Sequence, residues 1–285
     1  MTFSETWRLL RRDKLGMTGL VIMAFFIVVA IFAPYIAPYD PDAANYRPDG
    51  SFSRMDPPSW AHPFGTTRLG QDVFSQVIVG TRVAVLVGVL SAVMVALLGT
   101  LIGLVSGYYG GWIDDLLMRI TDIAYGVPFL PFAIILVAIL GPGLSNVIAA
   151  IVLISWRSTA RVIRSEVLSL KHRSFIEAAK VSGASDPRII LRHLAPNVLP
   201  LSLVYTALAM GWAIMTEASL SFLGYGDPRL ISWGKVLFMC YVAQAIDVAW
   251  WWVVPPGLAI TLLVMSGFLI SRSLEEIVNP RLRES

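Results

Sequence analysis

The stretch Ser169–Asn197, SLKHRSFIEAAKVSGASDPRIILRHLAPN, lies between two long apolar runs, and its reading decides the rest of the chain. It is too basic to sit in hydrocarbon, and it is punctuated as two short helices. Ser174, with Glu177 three residues on, predicts a capping box and a helix from Phe175. Gly183 suits the left-handed position that ends such a helix. Asp186 followed by Pro187 restarts one, with proline at its tolerated first position. Pro196 then opens the next apolar run. A capped, basic helix pair between two spans is a rigid protrusion. Ala178 and Ala179 are expected to be exposed on it and small enough for another protein to approach closely.

Outward from this loop the chain is apolar. Of 285 residues, 56% are hydrophobic and 14% charged, with a mean hydropathy of +0.70. A soluble domain carries about 25% charged residues, so a lipid-facing surface is implied. Six stretches reach the roughly 20 apolar residues that a membrane helix needs. They are Met17–Ile36, Val83–Ser106, Leu116–Leu140, Ser145–Ile163, Pro196–Phe222 and Trp251–Ile270. The first run continues into APYIAPYD without a small-residue cleavage site, so it reads as an uncleaved span rather than a signal peptide. The fold expected is an all-α membrane protein of six transmembrane helices. Its parts are a segment 1–16, a first helix 17–36, a polar segment 37–78 with little regular structure, a five-helix core 79–273 carrying the loop 171–195, and a tail 274–285.

Lys and Arg fix the expected orientation. One side collects Arg8, Arg11, Arg12, Lys14, Arg119, Arg157, Arg161, Arg164, Lys171, Arg173, Lys180, Arg188, Arg192, Arg272, Arg281 and Arg283. The other holds Arg47, Arg54, Arg68, Arg82, Arg229 and Lys235, so the division is 16 to 6. The positive-inside rule then puts both termini and the loop in the cytoplasm of a multi-pass inner-membrane protein, and segment 37–78 outside. The same rule explains the net charge of +3 without a nucleic-acid partner.

Several segments carry a resemblance. EAAKVSGASDPRII (Glu177–Ile190) is similar to the EAA loop of ABC-importer permeases. HPFGTTRLGQDVFSQVIVGTRVAVLVG (His62–Gly88), GYYGGWIDDLLMRITDI (Gly107–Ile123), EASLSFLGYG (Glu217–Gly226) and NPRLR (Asn279–Arg283) resemble the C-type permease of dipeptide and oligopeptide importers. The resemblance runs from Trp7 to Arg283 and departs from the family pattern at DPRLISWG (Asp227–Gly234). It implies a type I importer permease fold and a pore for peptides. Nickel or oligosaccharide cargo, or an ion-coupled secondary transporter, are the alternatives. It further implies a second homologous permease, two ATP-binding subunits that hold ATP and Mg, and an extracytoplasmic solute-binding protein as partners. Glu177, Ala178, Ala179, Gly183, Arg173 and Lys180 would then couple the pore to the ATPase.

The chain itself carries no G-x-x-x-x-G-K-[ST] phosphate loop, nucleophile elbow or zinc-protease pattern. It is read as no enzyme, with no cofactor of its own. His62 and His193 lack partners at metal-ligand spacing, and Cys240 is the single cysteine. Trp250, Trp251 and Trp252 read as an interfacial anchor. Ionisable residues within spans are costly and informative. Arg119 and Asp122, three apart on one helix face, are expected to pair locally. Glu217 has no sequence-local partner and is expected to bond to a neighbouring helix or to line a polar path.

Overall fold

The computed structural model describes residues 10–11 and 13–278. Arg8, Arg12, Arg281, Arg283 and the NPRLR motif lie outside the described residues. The described chain is built from helices α1 Lys14–Ile36, α2 Val73–Tyr109, α3 Gly111–Gly126, α4 Phe129–Leu140, α5 Leu144–Leu170, α6 Ser174–Val181, α7 Asp186–Ile189, α8 Ala195–Phe222, α9 Trp233–Val242 and α10 Trp250–Val278. Five stretches, α1, α2, α5, Asp186–Phe222 and α10, are each long and apolar enough to cross a membrane. The bent pair α3 and α4 makes a sixth.

Aspartates start the first two long helices. The Asp13 carboxylate accepts from the amides of Leu15 and Gly16, and Asp72 accepts from Ser75 N at 2.7 Å. Each satisfies donors that a helix start leaves orphaned. At 37 residues and 1.5 Å per residue, α2 is about 55 Å long, well beyond a hydrocarbon core of about 30 Å. It begins ten residues before the expected Val83, because Asp72 supplies a cap there.

The molecule is held along α2. Gly99, Gly103 and Gly107 recur every four residues on one face and lie against α5. A Cβ at these positions would stand 2.6–2.8 Å from Thr159, the Ala160 carbonyl and Val167. Lipid gives helices no hydrophobic reason to associate, so backbones in close contact are the substitute. Farther along, Ala84 and Ala92 of α2 join Phe26 of α1, Ile214 of α8, Trp233 of α9 and Leu263 of α10 in one buried cluster.

The third expected span, Leu116–Leu140, is not one straight helix. It breaks between Gly126 and Phe129, and its halves meet at 91°. Pro128 has no N–H to continue the ladder and pushes Val127 out of the helical region, to φ −85° and ψ 121°.

Segment 37–72 forms no helix or strand, but it is folded. Isolated bridges pair Tyr46 with Phe52 and Thr66 with Asp72. Arg47 grips Asp56 with two donors, His62 Nδ1 lies 2.8 Å from Asp72, and Trp251 Nε1 donates to the Thr66 carbonyl at 3.3 Å. The tryptophan anchor is therefore reduced to one residue. Trp252 is buried and Trp251 is bound to the segment, leaving Trp250 exposed. Helix α9, ten residues and too short to span, packs into the same end.

Candidate functional site

The protrusion occupies the other end of α2, about 55 Å away. Its first helix, α6, runs from Ser174 rather than Phe175. The expected capping box is absent: the cap residue is Arg173, and no side chain bonds the exposed amides. Ser174 lies inside the first turn, where its hydroxyl cannot reach the amide of Glu177. The other end closes as expected. Gly183 has φ +78°, its N–H reaches Lys180 O at 3.0 Å, and Ala184 N reaches Ala179 O at 3.0 Å. These two bonds are the Schellman pattern.

The second half starts at Asp186 with Ser185 as the cap residue, so Asp186 is not the cap, and Pro187 stands one place further in. The Asp186 carboxylate instead accepts from Tyr108 Oη at 2.7 Å. Beyond Ile189 the chain makes a π turn over Ile190–Leu194, in which Ala195 N bonds Ile190 O. The wider turn accommodates Pro196, which would break an α-helical ladder there. Helix α7 thus continues into α8 without a joint.

The protrusion is fused to the span ends. Ile176, Ile189 and Leu194 are fully buried with Leu104 of α2, Ile163 and Val167 of α5, and Val198 of α8. Lys180 lies over the Tyr108 ring at 5.6 Å, and Lys171 Nζ donates to Gly107 O at 3.1 Å. The two alanines are not equivalent: Ala178 is exposed, whereas Ala179 is half-buried against this cluster. Helix geometry separates them, since adjacent residues point about 100° apart. Arg173, Glu177 and Gly183 are exposed. Exposed with them are Phe175 and Val181, the latter 90% accessible. Both were legible in the sequence, since apolar side chains at positions 175, 178 and 181 recur at helical spacing.

The intramembrane polar residues fall differently from expectation. Arg119 is exposed and does not pair with Asp122. Three arginines on one face of α5, at 157, 161 and 164, take α3 in hand. Arg164 binds Asp114 through two 2.5 Å bonds, Arg161 binds Asp122 at 2.6 Å, and Arg157 donates to Ala124 O near the broken end of α3. A pairing across helices wins because α5 supplies donors at a spacing that matches the acceptors of α3. Glu217 is buried and accepts from Ser221 Oγ at 2.6 Å, one turn along its own helix. It therefore has a local partner after all.

Between the break of α3–α4, α5 and α8 lies a cavity of about 410 Å³, with Tyr125, Arg157, Ser158, Tyr205 and Trp212 in its walls. The Tyr125 ring carries the guanidinium of Arg157 at 4.7 Å and that of Arg161 at 4.3 Å. No group of three or more metal-ligating side chains occurs among the described residues.

Residues 99–284 match the family model of the binding-protein-dependent transport system inner membrane component, and residues 2–58 match the N-terminal TM domain of oligopeptide transport permease C. The chain is 38% identical to the dipeptide transport system permease protein DppC of Alkalihalophilus pseudofirmus, covering 98% of this chain and 90% of that one. It is 40% identical to the glutathione transport system permease protein GsiD of Escherichia coli, with 98% and 90% covered. Its fold matches a subunit of the MetNI methionine ABC transporter in an inward-facing conformation, with a TM-score of 0.56 at 18% identity, over 72% of this chain and 95% of that one. The chain therefore belongs to the family of binding-protein-dependent transport system inner membrane components, and it is a permease subunit, not an enzyme.

Proposed function

We propose that this permease forms half of a pore that admits short peptides to the cytoplasm, driven by ATP hydrolysis on partner subunits. The observation that carries the cargo class is the near full-length similarity to permeases named for dipeptide and glutathione transport. A second, similar permease completes the pore, two ATPases hold ATP and Mg, and an extracytoplasmic solute-binding protein delivers the peptide. The protrusion Lys171–Ala195 is the contact with the ATPase, through Glu177, Ala178, Gly183 and the apolar side chains Phe175 and Val181. Arg173 and Lys180 flank it.

The fused packing supports this role. A protrusion whose buried residues are shared with α2, α5 and α8 passes displacement to the spans as a rigid body. In this orientation the protrusion and both termini face the cytoplasm, and segment 37–72 with α9 faces the receptor. The test is reconstitution of the complete transporter in proteoliposomes. Radiolabelled alanyl-alanine should accumulate only with ATP on the protrusion side and receptor on the other. Accumulation driven by an ion gradient without ATP would refute the reading, and ATP-dependent uptake that excludes every peptide tested would refute the cargo.

A further inference from the structure

We propose that the cavity between the broken third span, α5 and α8 is a station on the transport path that receives the carboxylate of the passing solute on Arg157. The inference rests on the peptide reading above. The three arginines along α5 differ in one respect. Arg164 is neutralised by Asp114 and Arg161 by Asp122, but Arg157 has no carboxylate partner among the described residues. It is also the one of the three that lines the cavity. Arg157 is the fourteenth of the 27 residues of α5, about 20 Å from either end. A cation inside a span, here within the expected Ser145–Ile163, is expensive to keep and marks a functional position unless it is compensated.

Its present contacts compensate it in part. The Ala124 carbonyl lies at the end of α3, where the helix dipole leaves about half a negative charge. The Tyr125 ring adds a cation–π contact. Guanidinium has five N–H donors, so the bond to Ala124 O leaves enough of them to take a carboxylate side-on, on a residue that lines the cavity. The remaining walls suit the rest of a short peptide. Trp212 and Tyr125 offer aromatic faces, and Ser158 and Tyr205 offer hydroxyls. Contacts of this kind bind weakly and without side-chain preference, as a conduit requires.

The test uses the assembled transporter in vesicles, with Ser158→Cys as reporter; native Cys240 is buried and silent. Two methanethiosulfonates of similar size, one ending in sulfonate and one in hydroxyl, are compared for their rates of modification. The sulfonate should react about fivefold faster, the scale of one partly screened unit charge at several ångströms. Arg157→Gln should abolish that preference and leave the neutral rate unchanged, while Arg157→Lys should retain most of it. Alanyl-alanine should protect the cysteine and its C-terminal amide should not. A preference that survives Arg157→Gln, equal effects of acid and amide, or a cysteine unreactive to both reagents because the second permease fills the cavity, each overturns the proposal. Uptake of alanyl-alanine by the wild type in the same vesicles separates the two failures. Its loss overturns the peptide reading, and its presence beside any of those three results overturns the station alone.

Discussion

Single residues carry different weights on the protrusion, and burial ranks them. Ala178 faces out, so Ala178→Glu should leave the permease folded with an unchanged melting temperature. Co-purification with the ATPase should be lost, because an unpaired charge in an interface core costs on the order of 1–3 kcal/mol or more. Ala179 touches the buried cluster, so Ala179→Glu should lower the melting temperature itself. Equal melting temperatures for the two variants would contradict the assigned faces. The sequence placed both alanines outside because composition does not reveal rotation about the helix axis; the fully buried neighbour Ile176 reveals it. Gly183, by contrast, was legible, since only a left-handed residue closes a Schellman turn. A second residue-scale effect sits at the opposite end. Arg229 bonds Asp227 three times, through Nε, Nη2 and its own backbone N–H, and this holds the Asp227 carboxyl down to about 2. A lowered carboxyl stabilises the fold above its ordinary value of 3.8 and loses that contribution as pH falls toward 2. Asp227→Asn should therefore melt earlier than wild type at pH 7. The gap should close between pH 4 and pH 2 in thermal scans, and a constant gap would assign the difference to packing.

Among elements, the broken third span separates what hydropathy reveals from what it hides. Apolarity continues across Gly126-Val127-Pro128, so a hydropathy window reads one helix from Leu116 to Leu140. Pro128 was the signal for the break, through the residue before it. Helix α9 was hidden for the opposite reason, since ten residues fall short of a span. What holds α3 in place after the break is the α5 arginine row, and its members are unequal. Arg164 and Asp114 are mostly buried, with side chains 30% and 12% exposed, whereas those of Arg161 and Asp122 are 49% and 65% exposed. Removing one partner of a buried pair strands a charge, while exposed pairs contribute about 0–1 kcal/mol. A double-mutant cycle on Asp114→Asn and Arg164→Met should give a coupling of about 1–3 kcal/mol in detergent unfolding. The cycle on Asp122→Asn and Arg161→Met should stay under about 1 kcal/mol. Equal couplings would mean that α3 is held by its apolar contacts and that the row is incidental.

On the scale of the whole molecule, α2 is the ruler. Its start is capped by Asp72 beside the folded segment 37–72, and its end meets the protrusion through Tyr108 and Asp186. Helix α5 runs the same way, from the Leu144 amide near Asp227 to Lys171 at Gly107 O. The two ends differ in charge. Lys171, Arg173, Lys180, Arg188 and Arg192 crowd the protrusion, whereas Arg47, Arg54, Arg68, Arg229 and Lys235 are spread over the other end. Distribution over two ends was legible in the sequence, because Lys and Arg counts need only the order of the spans. Which positions can report it was not legible. Asp227 is 8% exposed, so a cysteine there would stay silent on either side of the membrane. Arg229, with a side chain 81% exposed, and Asp49, also exposed, are the usable positions at that end. Arg188 is exposed at the protrusion, and the buried native Cys240 adds no background. In intact cells a membrane-impermeant maleimide should label Asp49→Cys and Arg229→Cys and leave Arg188→Cys unmodified until the membrane is opened. Labelling of Arg188→Cys in sealed cells would invert the molecule. The protrusion would then face away from any cytoplasmic ATPase, and the coupling role of Glu177, Ala178 and Gly183 would fall with it.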